Sequence, residues 1–151
     1  MRIHIGSDHA GLELKAELIR HLSGNGHDVK DHGPHEYDAL DDYPDFCIPA
    51  AEAVAKDPSS LGIVLGGSGN GEQIAANKVK GIRAALAWSI ETAKLAKEHN
   101  NANVIAVGGR MHEISFVKQI IDAFINEPFS NDERHVRRIN KISNFENESC
   151  C

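Results

Sequence analysis

The 151-residue chain has only three cysteines. Cys47 stands alone and Cys150 and Cys151 are neighbours, so a disulfide framework is excluded. No apolar run approaches the roughly 18 residues of a membrane-crossing helix. Met1 leads straight into Arg2-Ile3-His4-Ile5, without the apolar core of a signal peptide. The expected setting is a reducing cytoplasm. Positive charge is also short: 16 Lys+Arg stand against 22 Asp+Glu, a net charge of −6. That balance argues against a general nucleic-acid or anionic-membrane surface. Linkers and internal repeats are missing, so the length predicts one domain over residues 1–145. Residues 146–151 have nothing to bury and are expected to form a frayed tail. Nine histidines are many, yet neither His-Glu-x-x-His nor paired Cys-x-x-Cys spacing occurs, so no metal site is expected.

What is present is an ordinary globular balance, 41% hydrophobic and 25% charged. The apolar rhythm alternates between strand and helix. Arg2-Ile3-His4-Ile5-Gly6 reads as a strand. Leu14, Leu18, Ile19 and Leu22 recur at helical spacing, stopped by Gly24-Asn25-Gly26. Residues 27–31 read as a polar edge strand and 32–45 as an acidic loop. Pro44 suits the first turn of a helix to about Ala55, within which Pro49 is awkward. Leu61-Gly62-Ile63-Val64-Leu65 is a continuous apolar run, as in a strand buried on both faces. A glycine loop and a short helix over 72–79 follow, then a strand over 82–87 and a helix capped by Ser89 that reaches His99. Val104-Ile105-Ala106-Val107 is a fifth strand. Val117, Ile120, Ile121, Phe124 and Ile125 trace one helical stripe. Ser130 with Glu133 suggests a capping box for a last helix carrying Val136, Ile139 and Ile142. Strands alternating with helices predict an α/β, Rossmann-like three-layer sandwich, with a mainly parallel five-stranded sheet and helices on both faces. Ligands then belong beyond the carboxyl ends of the strands.

The glycine loop Gly66-Gly67-Ser68-Gly69-Asn70-Gly71 lies there. Its backbone N–H groups can converge at a helix N-terminus, where anions are favoured. Two familiar patterns fail. The dinucleotide motif needs a third glycine where Glu72 stands, and the triphosphate loop needs Lys-Ser/Thr where Glu72-Gln73 stands. A carboxylate opposes a polyphosphate. It suits a site in which the amides of Gly67, Ser68, Gly69, Asn70 and Gly71 stabilise a transient oxyanion while Glu72 moves a proton. The alternative is a tight turn with Glu72 complementing the helix dipole.

Arg134 and Arg138, four apart on one helix face, are spaced to grip one phosphate; a solvated basic face is the plainer alternative. His99 ends a helix, where it can serve as a proton donor or merely as a cap. Asp8-His9 either opens a helix or forms a polar pair at the sheet's edge. The acidic stretch 32–45 could hold a cation, but a solvated loop explains it more simply. Cys47 reads as a core residue.

Together these segments resemble the type B ribose-5-phosphate isomerases and the related galactose-6-phosphate isomerase subunits. The matching runs are Gly6-Ser7-Asp8-His9-Ala10-Gly11, Asp42-Tyr43-Pro44, the glycine loop, Ala75-Ala76-Asn77-Lys78, Glu98-His99-Asn100-Asn101, Gly108-Gly109-Arg110 and Arg134-His135. Many members place a cysteine base where Gly66 stands here; this chain is similar to the subgroup with the base at Glu72. The resemblance implies interconversion of ribose 5-phosphate and ribulose 5-phosphate without metal or organic cofactor. It also implies a homodimer or dimer of dimers with active sites shared between subunits. In that reading His99 opens the sugar ring with help from Asp8, and Arg110, Arg134 and Arg138 hold the phosphate. His9 and Asn100 are further contacts. Six-carbon sugar phosphates are the nearest alternative substrates, and a non-catalytic phosphate- or nucleotide-binding module is a more distant one. A helix N-terminus favours the charged form of Glu72 and desolvation favours the neutral one; the sequence leaves that sum open.

Overall fold

The computed structural model describes residues 1–148. Five strands form one wholly parallel sheet in the order β2-β1-β3-β5-β4. They are β1 (Arg2–Ser7), β2 (Asp28–Asp31), β3 (Leu61–Gly66), β4 (Ala84–Leu86) and β5 (Val104–Gly108). Six helices connect and flank them: α1 (Leu12–Gly24), α2 (Pro44–Lys56), α3 (Asn70–Ala76), α4 (Ile90–Asn100), α5 (Ile114–Asn126) and α6 (Glu133–Glu148). Among the described residues, no helix is long and apolar enough to cross a membrane.

Strand alternation divides the core in two. Ile3, Ile5, Ile63, Leu65, Ile105 and Val107 face α1, α4 and α5, whereas Val64, Val104 and Ala106 face α2 and α3. This is the expected three-layer sandwich. The α5 stripe is fully buried through Val117, Ile120, Ile121 and Phe124, each contributing about 1.5–3 kcal/mol. β2 lies at an edge, as its polarity predicts.

Several details differ from the expectations. Pro49 sits inside α2 without ending it; one ladder bond is lost, and burial of Cys47, Ala50, Ala51 and Val54 holds the helix in place. Ser89 caps α4 in a reciprocal pair with Thr92, but Ser130 forms no such box. Its hydroxyl instead meets His135 Nδ1 at 2.8 Å, and α6 starts at Glu133. That helix runs on to Glu148 rather than ending at residue 145. The Glu146 carboxylate accepts the Gly81 amide at 3.0 Å, which ties down residues expected to fray. Cys150 and Cys151 lie outside the described residues.

At the end of the β1–β2 seam a buried His4 meets a half-buried His32, with His4 Nδ1 2.9 Å from His32 Nε2. Burial lowers the pKa of both rings, and for His4 the neighbouring His32 adds to the effect. Arg2, Asp28 and Asp57 surround His4, and Asp31 and Lys15 flank His32. Below the ordinary histidine value of 6.5, the unfolded chain takes up protons that the native pair does not. The stability this pair contributes is therefore complete above that pH and is lost as pH falls towards the folded values. The urea midpoint should decline between pH 7 and 5.5, and His32→Gln should flatten that decline. Equal slopes in both proteins would remove the pair as its cause.

Candidate active site

After β1 the chain turns to one side of the sheet and after β3 to the other, which opens a crevice between their carboxyl ends. Ser7 pairs with Leu65, so Asp8-His9 emerges beside the glycine loop. Asp8 Oδ1 accepts the amides of Ala10 at 2.9 Å and Gly11 at 3.3 Å, capping a single 3₁₀ turn over His9–Gly11. Gly69 has φ +85° and sets the N-terminus of α3, a conformation that few residues other than glycine adopt readily. The segment after β5 is stitched alongside: the amides of Gly109 and Arg110 donate to the carbonyls of Gly66 (2.7 Å) and Gly67 (3.1 Å).

The Glu72 carboxylate lies directly over Gly66. A Cβ at position 66 would fall 1.7 Å from Glu72 Oε1 and 2.3 Å from its Cδ, so no side chain fits there while Glu72 occupies the space. Glu72 is 4% exposed, and its Oε2 is buried without a hydrogen-bond partner. Burial raises its pKa and the Asp8 carboxylate adds to the rise; its own amide and that of Gly69 oppose them without reversing the direction. The balance that the sequence left open thus falls on the side of a more basic carboxylate. Cys47 lies in the same core, where burial, helped by Glu72 and Asp8, holds its thiol far above the usual range. It is a core residue and no nucleophile.

Within the loop, the Gly69 amide is engaged by Glu72 and the Asn70 amide by Ser68 Oγ at 3.2 Å. The amides of Gly67, Ser68 and Gly71 take no part in these bonds. The Arg110 guanidinium lies against Gly67, and the Tyr43 ring closes over Gly71. Beside them opens a cleft of about 210 Å³ lined by Ser68, Asn70, Leu86, Trp88, Gly108 and Met111.

The remaining candidates lie elsewhere. α4 starts just past the carboxyl end of β4 and runs back, so His99 and Asn100 reach the amino end of the sheet. There Arg83, just before β4, donates through Nε to the Asn100 carbonyl at 3.0 Å, and Asn101 takes φ +43° to end the helix. The Ser130 amide meets the Glu98 carbonyl, and the His135 ring lies 4.4 Å from that of His99. Arg134 and Arg138 are close enough to His135 to lower its pKa, after desolvation and His99. One chain therefore carries two groups of residues: Asp8, His9, the loop, Glu72 and Arg110 at one pole, and His99, Asn100, Arg134 and Arg138 at the other. Along β5, five residues at about 3.3 Å each separate the poles.

Nothing in the sequence marks Asp41, which stands in an acidic stretch that looks solvated. Asp41 Oδ1 accepts from the His9 amide at 3.0 Å and meets His9 Nδ1 at 2.5 Å. Asp8, His9 and Asp41 also bring ligand atoms within 4.8 Å of one another, a grouping of the kind that could hold a cation. In the sequence His135 stands out only as part of a motif, yet it is the one buried residue of α6. Only the neighbouring Asp42-Tyr43-Pro44 run hinted that the end of the acidic loop borders the site.

Comparison with known proteins gives the family. A family model described as Ribose/Galactose Isomerase matches residues 3–142. Ribose-5-phosphate isomerase B of Mycolicibacterium paratuberculosis is 60% identical over 146 residues, covering 97% of this chain and 92% of that one. Galactose-6-phosphate isomerase subunit LacB of Clostridium acetobutylicum is 41% identical over 145 residues, covering 94% and 83%. A crystal structure of ribose-5-phosphate isomerase B from Mycoplasma genitalium with bound ribulose-5-phosphate superposes with a TM-score of 0.94 at 45% identity, covering 97% of each chain. A family model matched over residues 3–142 and a relative 60% identical over nearly the whole chain show that the chain belongs to the Ribose/Galactose Isomerase family.

Proposed function

We propose that the chain is an aldose–ketose isomerase that interconverts ribose 5-phosphate and ribulose 5-phosphate. The observation that carries this reading is Glu72: buried, raised in pKa, and held over Gly66 at the end of β3. In the open-chain aldose, Glu72 takes the proton from C2. The resulting enediolate places negative charge on oxygen, where the amides of Gly67, Ser68 and Gly71 can receive it. Glu72 returns the proton to C1, and the O2 hydroxyl proton passes to O1, which completes the ketose. A positioned base typically contributes ~10²–10⁴-fold, and an oxyanion donor roughly 10²–10³. His99, helped by Asp8, opens the ring, and His9, Asn100, Arg110, Arg134 and Arg138 hold the sugar phosphate.

This assignment requires the two poles to meet, which one copy alone does not allow. We infer a homodimer or dimer of dimers in which His99, Asn100, Arg134 and Arg138 of one copy complete the Glu72 pole of another. Two features support the inference. β4 is an edge strand, and beside it a groove of about 540 Å³ is lined by Gln73, Asn77, Arg83, Trp88, Ile139 and Ile142. Exposed Ile74, Trp88, Ile142 and Phe145 surround that edge with more apolar surface than a free strand usually carries. Residues 1–145 would then act as one catalytic unit per copy.

Galactose 6-phosphate stays in view as a substrate because a relative named for it matches at 41% identity. Turnover measured side by side on five- and six-carbon phosphates decides between them; a higher kcat/KM on the six-carbon sugar would overturn the pentose assignment. Binding without exchange of the C2 hydrogen into solvent would overturn catalysis altogether.

Glu72→Gln should abolish most turnover while keeping sugar-phosphate binding. Its melting temperature at pH 7 should not fall, because a buried carboxylate with raised pKa disfavours the fold once ionised. Near-normal turnover would eliminate Glu72 as the base. Gly66→Ala should lose activity comparably, since its methyl group displaces the carboxylate; retained activity would contradict that geometry. Arg134→Ala/Arg138→Ala should weaken substrate binding. When co-expressed with Glu72→Gln, it should restore about a quarter of wild-type activity, since random pairing leaves one site intact in each mixed dimer. No recovery would argue against sites shared between copies.

A further inference from the structure

His9 leaves the crevice wall on a single 3₁₀ turn, a short support for a side chain that must face a ligand. Its ring is held from outside that turn. Asp41, at the far end of the acidic loop, aims one oxygen at both the amide and the Nδ1 of His9 (3.0 and 2.5 Å). The edge of the Tyr37 ring meets the His9 ring at 5.9 Å between centroids, close to perpendicular. The Asp41 side chain is 8% exposed and that of His9 24%. The second Asp41 oxygen, Oδ2, is buried with no partner. Both side-chain hydrogen bonds of Asp41 therefore go through Oδ1 to the one residue, His9.

The geometry points to Asp41 as a positioning residue for substrate binding, one that fixes the His9 ring and keeps the proton on Nδ1. Nε2 is then the atom presented to the sugar phosphate. In the neutral ring Nε2 accepts from a sugar hydroxyl, and in the protonated ring it donates to a phosphate oxygen. Either way the aspartate decides which nitrogen faces the crevice. Asp41 touches no reacting atom; it acts through His9. This inference rests on the isomerase reading only for the statement that His9 contacts substrate. The pairing itself is read from the protein alone.

The test joins a spectroscopic measurement with kinetics on the full chain. Nitrogen–proton correlation spectra of the imidazoles should show His9 protonated at Nδ1 in the wild type, and Asp41→Ala should lose that signature. With ribose 5-phosphate, Asp41→Ala should raise KM about tenfold, as expected for one lost charge-assisted hydrogen bond, with a much smaller change in kcat. Asp41→Asn retains an accepting oxygen for Nδ1–H and the His9 amide, so it should recover most of that loss. In a His9→Ala background, Asp41→Ala should add nothing further. An unchanged Nδ1 signature in Asp41→Ala overturns the pairing, as does an equal KM cost with and without His9. A lost signature with KM unchanged in both Asp41→Ala and His9→Ala overturns the proposal at the substrate contact. That result would leave the assignment of Glu72 as base standing, because the Glu72 variants test it separately.

Discussion

A carboxylate held against the bare end of a strand is the constraint around which this molecule is arranged. Glu72 needs the volume above Gly66, and Gly66 can lack a side chain because β3 draws its stability from the buried run before it. The left-handed Gly69 turns the chain so that α3 begins where Glu72 can fold back. Burial and the neighbouring Asp8 then make that carboxylate a better proton acceptor than a solvated one. The same burial leaves Cys47 protonated and inert. One placement therefore makes a carboxylate more basic and keeps the thiol of the same core protonated.

The sheet was legible because its central strands are continuous apolar runs buried on both faces, as in Leu61–Gly66 and Val104–Gly108. The Ser89 cap was legible for the same reason: its partner Thr92 lies three residues away. Errors arose where a local pattern had a competitor outside the pattern itself. Ser130 resembled a cap, but a buried histidine took its hydroxyl. Residue 146 looked free to fray, but the amide of Gly81, 65 positions away, held it. The glycine turn could be read directly, since the left-handed Gly69 and the start of α3 lie in consecutive residues. Asp41 could not, because an aspartate among other acidic residues looks solvated until the fold brings a histidine 32 positions away against it. Nor could spacing show that His99 and Glu72 lie at opposite poles, which follows from α4 running antiparallel to the strands.

That antiparallel return also has a consequence for inheritance. If each working site draws its base from one copy and its clamp from another, lesions at the two poles belong to different complementation groups within a single gene. After duplication, one daughter chain can let its base decay while its sister loses the clamp, and the pair still builds half the original number of sites. An obligate assembly of unlike subunits can thus arise from this parallel sheet without any change of architecture.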